Sequence, residues 1–224
     1  MTPALPFLVV AAGELWAATA TPWWAAWFLA WCGVSTGWAG VCYLARRPGW
    51  LGKGTRAAWA LAPFLWWSRG SARVAQRVMR EPRVEVVPGL WVGAWPRRGA
   101  PELAQLDLTA ELPRRGDALR YACVPMLDGA PPEPDAFHAA VAQVRAWRDE
   151  GLPVLVHCAY GHGRSVAVVV AVLVAEGHAP GWEEAHAMVL RRRPLARMTP
   201  AQRAVVAHGV RRYARPEATG PAAS

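Results

Sequence analysis

Cysteine is scarce in this sequence, and lysine is almost missing. The four cysteines, Cys32, Cys42, Cys123 and Cys158, form no Cys-x-x-Cys pair and show no spacing typical of a metal site. This pattern fits a reducing compartment, in which free thiols survive, better than a disulfide scaffold. Lys53 is the only lysine, so arginine supplies nearly all of the 25 basic residues. Together with abundant alanine, proline and glycine, this bias indicates a GC-rich bacterial genome.

Acidic residues are absent from residues 45–80, although the whole chain carries a formal net charge of +9. The basic residues of this interval are Arg46, Arg47, Lys53, Arg56, Arg69, Arg73, Arg77 and Arg80. Such an excess raises the question of nucleic acid, but the sequence has no recognition helix, zinc pattern or interleaved aromatic RNA motif. We therefore expect no nucleic-acid partner. The basic residues border apolar segments instead, which favours membrane lipids as partners.

Charged residues are also missing from a long run that precedes the basic interval, from Leu15 to Ala45. A bilayer-spanning helix needs about 20 apolar residues. Residues 22–44 therefore predict one span, and residues 4–20 predict a second, with Thr21 and Pro22 as the turn between them. No basic residue precedes the first apolar run, which is unlike a cleaved signal peptide. Because positive flanks stay on the cytoplasmic side, we expect the rest of the chain to face the cytoplasm.

Residues 57–67 are apolar but too short to span a bilayer. Their aromatic residues, between basic neighbours, are typical of a helix that lies in the membrane interface. The alternative is a helix that packs on the domain that follows. Arg73, Arg77 and Arg80 continue at helical spacing, so we predict a basic linker helix up to about Arg83.

Residues 157–165 read His-Cys-Ala-Tyr-Gly-His-Gly-Arg-Ser, between an apolar run that predicts a strand and a Val/Ala run that predicts a helix. A helix N-terminus offers unpaired N–H groups and a partial positive charge, so it suits an anion such as phosphate. The loop amides can turn inward as a nest, and Gly161 and Gly163 allow the positive φ and the close backbone approach that such a curve needs. Arg164 can grip two phosphate oxygens, and the same positive field favours the thiolate of Cys158.

The pattern His-Cys-x-x-Gly-x-x-Arg-Ser resembles the signature of the protein tyrosine phosphatase superfamily, most closely its dual-specificity branch. The resemblance implies that Cys158 is the nucleophile, that Arg164 binds phosphate and that Ser165 assists release of the thiolate. The expected phosphate-binding residues are Ala159, Tyr160, Gly161, His162, Gly163 and Arg164. We expect His157 to orient the loop backbone rather than touch substrate. No metal and no cofactor are expected, since arginine and backbone amides supply the positive charge.

The reaction also needs a general acid that protonates the leaving oxygen. Members of the resembled family carry an aspartate on a loop upstream of the cysteine, and Asp128 fits because it follows an apolar strand and precedes a Gly/Pro-rich stretch. Asp135 is the competitor, although its residue type and position favour the N-cap of the next helix. Asp107, Thr109 and Glu111 are interpreted as structural.

The sequence allows two interpretations for each of His162, Tyr160 and the run 191–193. An imidazolium at His162 would favour a polyanionic or lipid head group at the rim of the pocket, whereas the alternative is an exposed residue with no role in selectivity. Tyr160 either walls the pocket or packs. The run 191–193, three arginines, either lines the approach to the pocket or forms a solvated helix end that the helix dipole favours.

Short predicted strands alternate with helices between Val84 and Tyr213, which is typical of an α/β domain with a small, mostly parallel sheet flanked by helices. The predicted strands are Val84–Val87, Leu90–Val92, Leu106–Thr109, Arg120–Val124 and Pro153–His157. The predicted helices are Pro134–Glu150, Arg164–Glu176, Gly181–Arg192 and Thr199–Ala214. Thr199 and Pro200 predict an N-cap and a first-turn proline. Between Trp95 and Asp107 there is little room for the helix that dual-specificity domains usually have there.

These predictions divide the chain into four parts: a transmembrane helical hairpin (1–47), a basic interfacial or linker helix (48–82), a dual-specificity phosphatase-like catalytic domain (83–215) and a disordered tail (216–224). We expect a multi-pass protein of the bacterial cell membrane that hydrolyses phosphate monoesters in the cytoplasm. The expected substrates are proteins phosphorylated on tyrosine, serine or threonine. A phospholipid or phosphoinositide phosphatase is the alternative, and a non-catalytic phosphate-binding membrane module is a third hypothesis.

Overall fold

The computed structural model describes residues 3–51, 59–79, 81 and 83–213. The helices are α1 (Leu5–Thr19), α2 (Trp23–Leu44), α3 (Ala62–Met79), α4 (Pro134–Asp149), α5 (Arg164–Ala175), α6 (Trp182–Arg192) and α7 (Pro200–Gly209). The strands are β1 (Val84–Val87), β2 (Leu90–Ala94), β3 (Ala100–Thr109), β4 (Ala118–Met126) and β5 (Val154–Cys158). Short 3-10 turns cover Pro48–Leu51 and Val210–Arg212. The predictions for Lys53, Arg56, Arg80 and the tail 216–224 lie outside the described residues.

The five strands form one sheet in the order β1-β2-β5-β3-β4. β1 pairs with β2 antiparallel, and every other pair is parallel. This confirms the predicted small, mostly parallel sheet flanked by helices. All five residues of β5, the central strand, are buried, which explains why its sequence is an apolar run without alternation. The sheet order places the end of β5, and the loop after it, in the middle of the domain.

The interval between Trp95 and Asp107 forms no helix, and every residue in it is described. Instead β3 begins at Ala100, six residues earlier than predicted, where the Ala100 N–H donates to the carbonyl of Asp117 at 2.8 Å. Gly99 and Gly116 bring the two chains into close contact, since a Cβ on either would lie 2.4 Å from the other segment. The early start of β3 thus places in a strand the residues that a helix between Trp95 and Asp107 would need.

Helix α5 lies at the centre of the domain that contains the sheet. It is buried from Arg164 to Val174 and lies against α4, α6 and α7. Its Val/Ala composition suits this position because small, stiff side chains pack closely on the pleated surface of a sheet and on neighbouring helices. The ring of Phe137 on α4 is fully buried and packs against Gly209 of α7.

Two predicted helix starts have different outcomes. Thr199 caps α7 as predicted, and Gln202 completes a capping box by accepting from the Thr199 N–H. The prediction that Asp135 is an N-cap is wrong. The N-cap is Glu133, two residues earlier, and α4 begins at Pro134, as its predicted bounds have it, because proline has a fixed φ and needs no hydrogen-bond acceptor at the first position. Asp135 therefore lies in the first turn.

Helices α1 and α2 form an antiparallel hairpin. A Cβ at Gly33 would lie 2.7 Å from Leu15, and one at Gly40 would lie 2.8 Å from Leu8, so small residues let the two helices approach closely. Among the described residues, α2 alone is long and apolar enough to cross a membrane, judged by length and composition. A second span was predicted at residues 4–20. The structure has a helix of 15 residues there, α1, which is shorter than a bilayer requires.

Helix α3 runs without a break from Ala62 to Met79 and has two unlike faces. Phe64, Leu65 and Ala72 are buried against the rest of the protein, whereas Trp66 and Trp67 are 56% and 75% exposed. The helix therefore packs on its neighbours along one face, as the alternative for residues 57–67 proposed, and presents tryptophans on the other.

We expect Phe137→Ala to lower the free energy of unfolding by about 3–5 kcal/mol, because it removes a fully buried ring from the contact between α4 and α7. Urea unfolding of the full chain in detergent micelles, followed by far-UV circular dichroism, measures this loss. Leu119→Ala is the matched control, since Leu119 is 50% exposed and its truncation should change stability by less than about 0.5 kcal/mol. Equal losses for the two variants would contradict this account of the core.

Candidate active site

The loop between β5 and α5 lies at the carboxyl end of the central strand, where open α/β sheets bind ligands. Cys158 is the last residue of β5, and Arg164 is the first residue of α5. The N-terminus of α5 therefore points its unpaired N–H groups at the loop, as predicted for an anion site.

The carbonyl groups of residues 159 to 162 all point out of this loop. Each accepts a hydrogen bond from elsewhere: Ala159 from the Trp95 N–H (3.3 Å) and Gln76 (3.4 Å), Tyr160 from Arg193 (3.1 Å), Gly161 from Arg193 (2.9 Å), and His162 from the Arg197 N–H (2.9 Å). A trans peptide group is planar, so its N–H points opposite to its carbonyl, and the described residues contain no cis peptide. The N–H groups of residues 160 to 163 consequently face the inside of the loop.

Cys158 lies beneath these N–H groups and is 1% exposed. Its sulfur accepts a hydrogen bond from the Gly161 N–H at 3.2 Å, and the hydroxyl oxygen of Ser165 lies 3.4 Å away. The structure thus brings Ser165 close to Cys158, as the signature predicts. The N–H groups and the start of α5 surround the sulfur with partial positive charge.

The two loop glycines are required for different reasons. Gly161 has φ +74°, and a Cβ there would lie 2.5 Å from the carbonyl carbon of Gly93, so no other residue fits. Gly163 has φ −110°, which any residue can adopt, and the predicted positive φ is wrong at this position. Space is the constraint instead, since a Cβ on Gly163 would lie 2.9 Å from the side chain of Gln202.

Arg164 is buried and is held by two carboxylates. Its Nη2 lies 2.8 Å from Oε1 of Glu111 and 3.2 Å from Oδ1 of Asp128, and its Nη1 donates to the carbonyl of Met126 at 2.8 Å. Burial lowers the pKa of Arg164, but the charges of Asp128 and Glu111 more than offset it and raise the pKa well above its ordinary value. The Nε–H is buried and has no hydrogen-bond partner among the described residues, so one donor remains for a ligand oxygen.

Asp128 lies on the loop after β4, and its side chain is 38% exposed. The neighbouring Gly129 has φ +68°, which fits the Asp-Gly turn. Of the two aspartates considered for the acid, Asp128 contacts the guanidinium of Arg164, whereas Asp135 lies in the first turn of α4. The carboxyl of Asp128 is therefore both near the loop and open to solvent, as a proton donor to a leaving group requires.

A buried network beneath the loop includes the other residues that were interpreted as structural. Asp107 accepts hydrogen bonds from the Thr109 N–H (2.8 Å), the Thr109 hydroxyl (2.7 Å) and the Tyr121 hydroxyl (2.8 Å). Burial and the charge of Asp107 raise the pKa of Tyr121. Nδ1 of His157 lies 3.9 Å from Oδ1 of Asp107, so the histidine joins β5 to β3 below the cysteine.

Arg193 is a residue of the site that the sequence interpretation missed. Both proposed roles for it, in the approach to the pocket or at a solvated helix end, are wrong: its side chain is 1% exposed and its guanidinium holds the carbonyls of Tyr160 and Gly161. Burial lowers the pKa of Arg193, and the charge of Glu81, 3.2 Å away, partly opposes this shift.

Glu111 was also missed as a site residue. No sequence pattern marks either residue as a partner of the loop.

The side chains of His162 and Tyr160 pack against other parts of the protein and do not project from the rim of the pocket into solvent. Nε2 of His162 lies 2.7 Å from Glu81, the same carboxylate that holds Arg193, so the imidazole is not the exposed residue that one interpretation proposed. Tyr160 packs with Ala72 of α3, and its hydroxyl lies 3.5 Å from that of Ser71. Helix α3 therefore covers part of the loop.

Comparison with known proteins agrees with this geometry. Residues 90–207, more than half of the chain, match the sequence model described as dual specificity phosphatase, catalytic domain. The chain belongs to the dual specificity phosphatase family. As a member of this family, it is a phosphoric monoester hydrolase.

Solved structures of dual specificity phosphatases share the fold. Human DUSP28 is 22% identical, with a TM-score of 0.53 over 58% of this chain and 96% of that chain. A mouse putative dual specificity phosphatase complexed with zinc tungstate is 24% identical, with a TM-score of 0.51 over 58% of this chain and 87% of that chain. No curated protein matches the chain in sequence. The family match begins at residue 90, so α1, α2 and α3 lie outside it.

We expect Arg193→Ala to lower kcat/KM about 10- to 100-fold, because the loop carbonyls of Tyr160 and Gly161 lose their donor and the inward N–H groups move. Steady-state hydrolysis of an aryl phosphate by the full chain measures the loss. The adjacent Arg192→Ala is the matched control: Arg192 is exposed, so this variant should keep the activity. An Arg193→Ala enzyme as active as its control would show that the loop holds its shape without the guanidinium.

Proposed function

We propose that this phosphatase is anchored to the membrane and works through a phosphocysteine intermediate, with phosphorylated proteins as substrates. The observation that carries the proposal is the position of the Cys158 sulfur under N–H groups whose carbonyls are held outward. Such a nest binds the three non-bridging oxygens of a phosphate group above the nucleophile. Phosphate is then placed in line between the sulfur and the leaving oxygen.

In the first step the thiolate of Cys158 forms a sulfur–phosphorus bond while the bond from phosphorus to the leaving oxygen breaks. Asp128 donates its proton to that oxygen, so that an alcohol or phenol departs. Arg164 and the loop amides stabilise the charge on the transferring phosphoryl group, which replaces the metal ion that other phosphoryl-transfer enzymes use. The free Nε–H of Arg164 is available for one of these oxygens.

In the second step water attacks phosphorus, and the sulfur–phosphorus bond breaks. The carboxylate of Asp128 accepts a proton from the water, and phosphate is released. The hydroxyl of Ser165, 3.4 Å from the sulfur, donates a hydrogen bond to the departing thiolate. His157, buried at the end of β5, positions the backbone from which the loop begins.

The N-terminal hairpin is the proposed anchor. Its exposed surface is rich in tryptophan: Trp16, Trp23 and Trp27 are each at least 75% exposed, which suits lipid better than water. Arg46 and Arg47 follow α2 directly and would keep that end on the cytoplasmic side. The catalytic domain is then cytoplasmic, where its thiol stays reduced.

A lipid phosphate monoester, such as a phosphoinositide head group, is the second candidate substrate. This candidate is favoured because the hairpin packs on the catalytic domain next to the loop that carries Asp128, which we call the acid loop. Ala39 and Cys42 of α2 belong to the same buried cluster as Leu127 and Ala130 of this loop. This contact would hold the site near the bilayer surface.

We expect Cys158→Ser to abolish turnover, because an alcohol in the nest is far less nucleophilic than a thiolate. The full chain is assayed in micelles with tyrosine-phosphorylated and serine-phosphorylated peptides and, side by side, with phosphoinositide in mixed micelles. Cys123→Ser, which changes a cysteine on β4 outside the loop, is the control and should stay active. A higher kcat/KM for peptides supports the protein substrate, and a higher value for lipid supports the second candidate. Turnover by Cys158→Ser would refute the mechanism.

The anchor predicts that the full chain floats with lipid vesicles and resists extraction by alkaline carbonate, because α2 spans the bilayer. Replacing three apolar residues of α2, Trp27, Phe28 and Val34, by glutamate should release the chain into the soluble fraction. Arg191→Glu, at an exposed position of α6, is the control for added negative charge and should leave the chain in the membrane fraction. Complete extraction of the unchanged chain would contradict a spanning helix.

A further inference from the structure

The last turn of α2 contacts the loop that carries Asp128. Tyr43, one residue before the end of the helix, accepts a hydrogen bond from the Asp128 N–H at 3.1 Å. The two residues are 85 positions apart, so tertiary packing alone brings them together. The charges of Asp128, Glu111 and Arg164 all act on this hydroxyl, which places it beside the residues that surround the phosphate site.

The position of Tyr43 is supported from several sides. Its ring contacts Phe7 of α1, with 4.8 Å between centroids, and Phe7 in turn meets the ring of Phe64 on α3 at 5.8 Å. The N–H of Phe64 donates to the hydroxyl of Ser35 on α2 at 3.2 Å. The three N-terminal helices thus form one support for the tyrosine, and its hydroxyl faces the acid loop rather than solvent.

The same support covers the acid loop with apolar side chains. Leu127 and Ala130, on either side of the Asp128-Gly129 turn, belong to one buried cluster with Ala39, Cys42 and Leu51. Asp128 itself keeps an exposed carboxyl. The hairpin therefore fixes its backbone, while its carboxyl lies beside Arg164 and remains partly open to solvent, where a leaving oxygen can meet it.

We infer that Tyr43 is a positioning residue of the phosphatase reaction: its hydroxyl holds the backbone of Asp128 so that the carboxyl faces the leaving oxygen, and turnover thereby depends on the N-terminal hairpin. The inference rests on the general-acid role proposed above for Asp128. Tyr43 takes no part in bond making, and its effect passes through the aspartate.

The leaving group provides a readout that a merely structural role would not change. An alkoxide is strongly basic and needs a proton as it departs, whereas a phenoxide with electron-withdrawing substituents departs without one. Loss of acid catalysis therefore slows hydrolysis of a serine phosphate much more than hydrolysis of an activated aryl phosphate. The ratio of the two kcat values is independent of the fraction of folded enzyme, so partial unfolding cannot imitate the effect.

In the full chain, in detergent micelles, we expect Tyr43→Phe to lower kcat for a phosphoserine peptide about 10-fold, and for an activated aryl phosphate less than about twofold. Tyr213→Phe is the matched control, since it removes a tyrosine hydroxyl that lies 2.7 Å from His138, away from the acid loop. This control should leave the ratio of the two rates unchanged. A ratio for Tyr43→Phe equal to that of the control would overturn the inference.

Asp128→Asn, measured in the same assay, separates this inference from the proposed function. If Asp128→Asn lowers the ratio and Tyr43→Phe does not, Tyr43 has no positioning role and the mechanism stands. If neither variant lowers the ratio, the general-acid role of Asp128 is wrong and the inference fails with it. The double variant gives a further test. It should show no more loss than Asp128→Asn alone, because Tyr43 acts only through the aspartate; additive losses would count against the inference.

Discussion

Four peptide groups after β5 determine the chemistry of this protein, because their orientation decides whether the loop presents N–H groups or carbonyls to a phosphate. The outward carbonyls are held by partners from three other parts of the chain, and Arg193 alone holds two of them. A buried carbonyl without a partner costs about 1–3 kcal/mol, so these bonds strongly favour one shape of the loop. Burying the guanidinium is costly in turn, and the carboxylate of Glu81 offsets part of that cost.

The parts of the molecule that depend on local sequence were predictable. The helices α4 to α7 and the strands lie where the residue pattern predicts them, except for the early start of β3, and the capping box at Thr199 involves only residues within one turn. The loop around Cys158 was predictable for the same reason: one short segment contains the nucleophile, the glycine at positive φ and Arg164. A segment of this kind carries its own geometry, because strand, turn and helix follow each other without a gap.

The residues that were missed act across the fold. Glu111, Arg193 and Tyr43 each contact a loop that is more than 30 residues away in the chain. An arginine after a helix is most often solvated, and nothing in its neighbours shows that this one is buried. His162 was misjudged for the same reason, since its partner Glu81 precedes the first strand. Asp135 shows a smaller failure: the N-cap is Glu133, two residues earlier, because Pro134 takes the first helical position.

The hairpin and the catalytic domain share a buried cluster, and this sharing limits how the protein can change over evolution. Another helix of equal hydrophobicity but different side chains would leave Leu127 and Ala130 without their cover. The glycines that let α1 approach α2 are needed for the same cover, since a wider hairpin would move Phe7 away from its neighbours. The N-terminal segment is therefore not an interchangeable module: recombination with an unrelated pair of apolar helices would expose apolar surface on the enzyme itself.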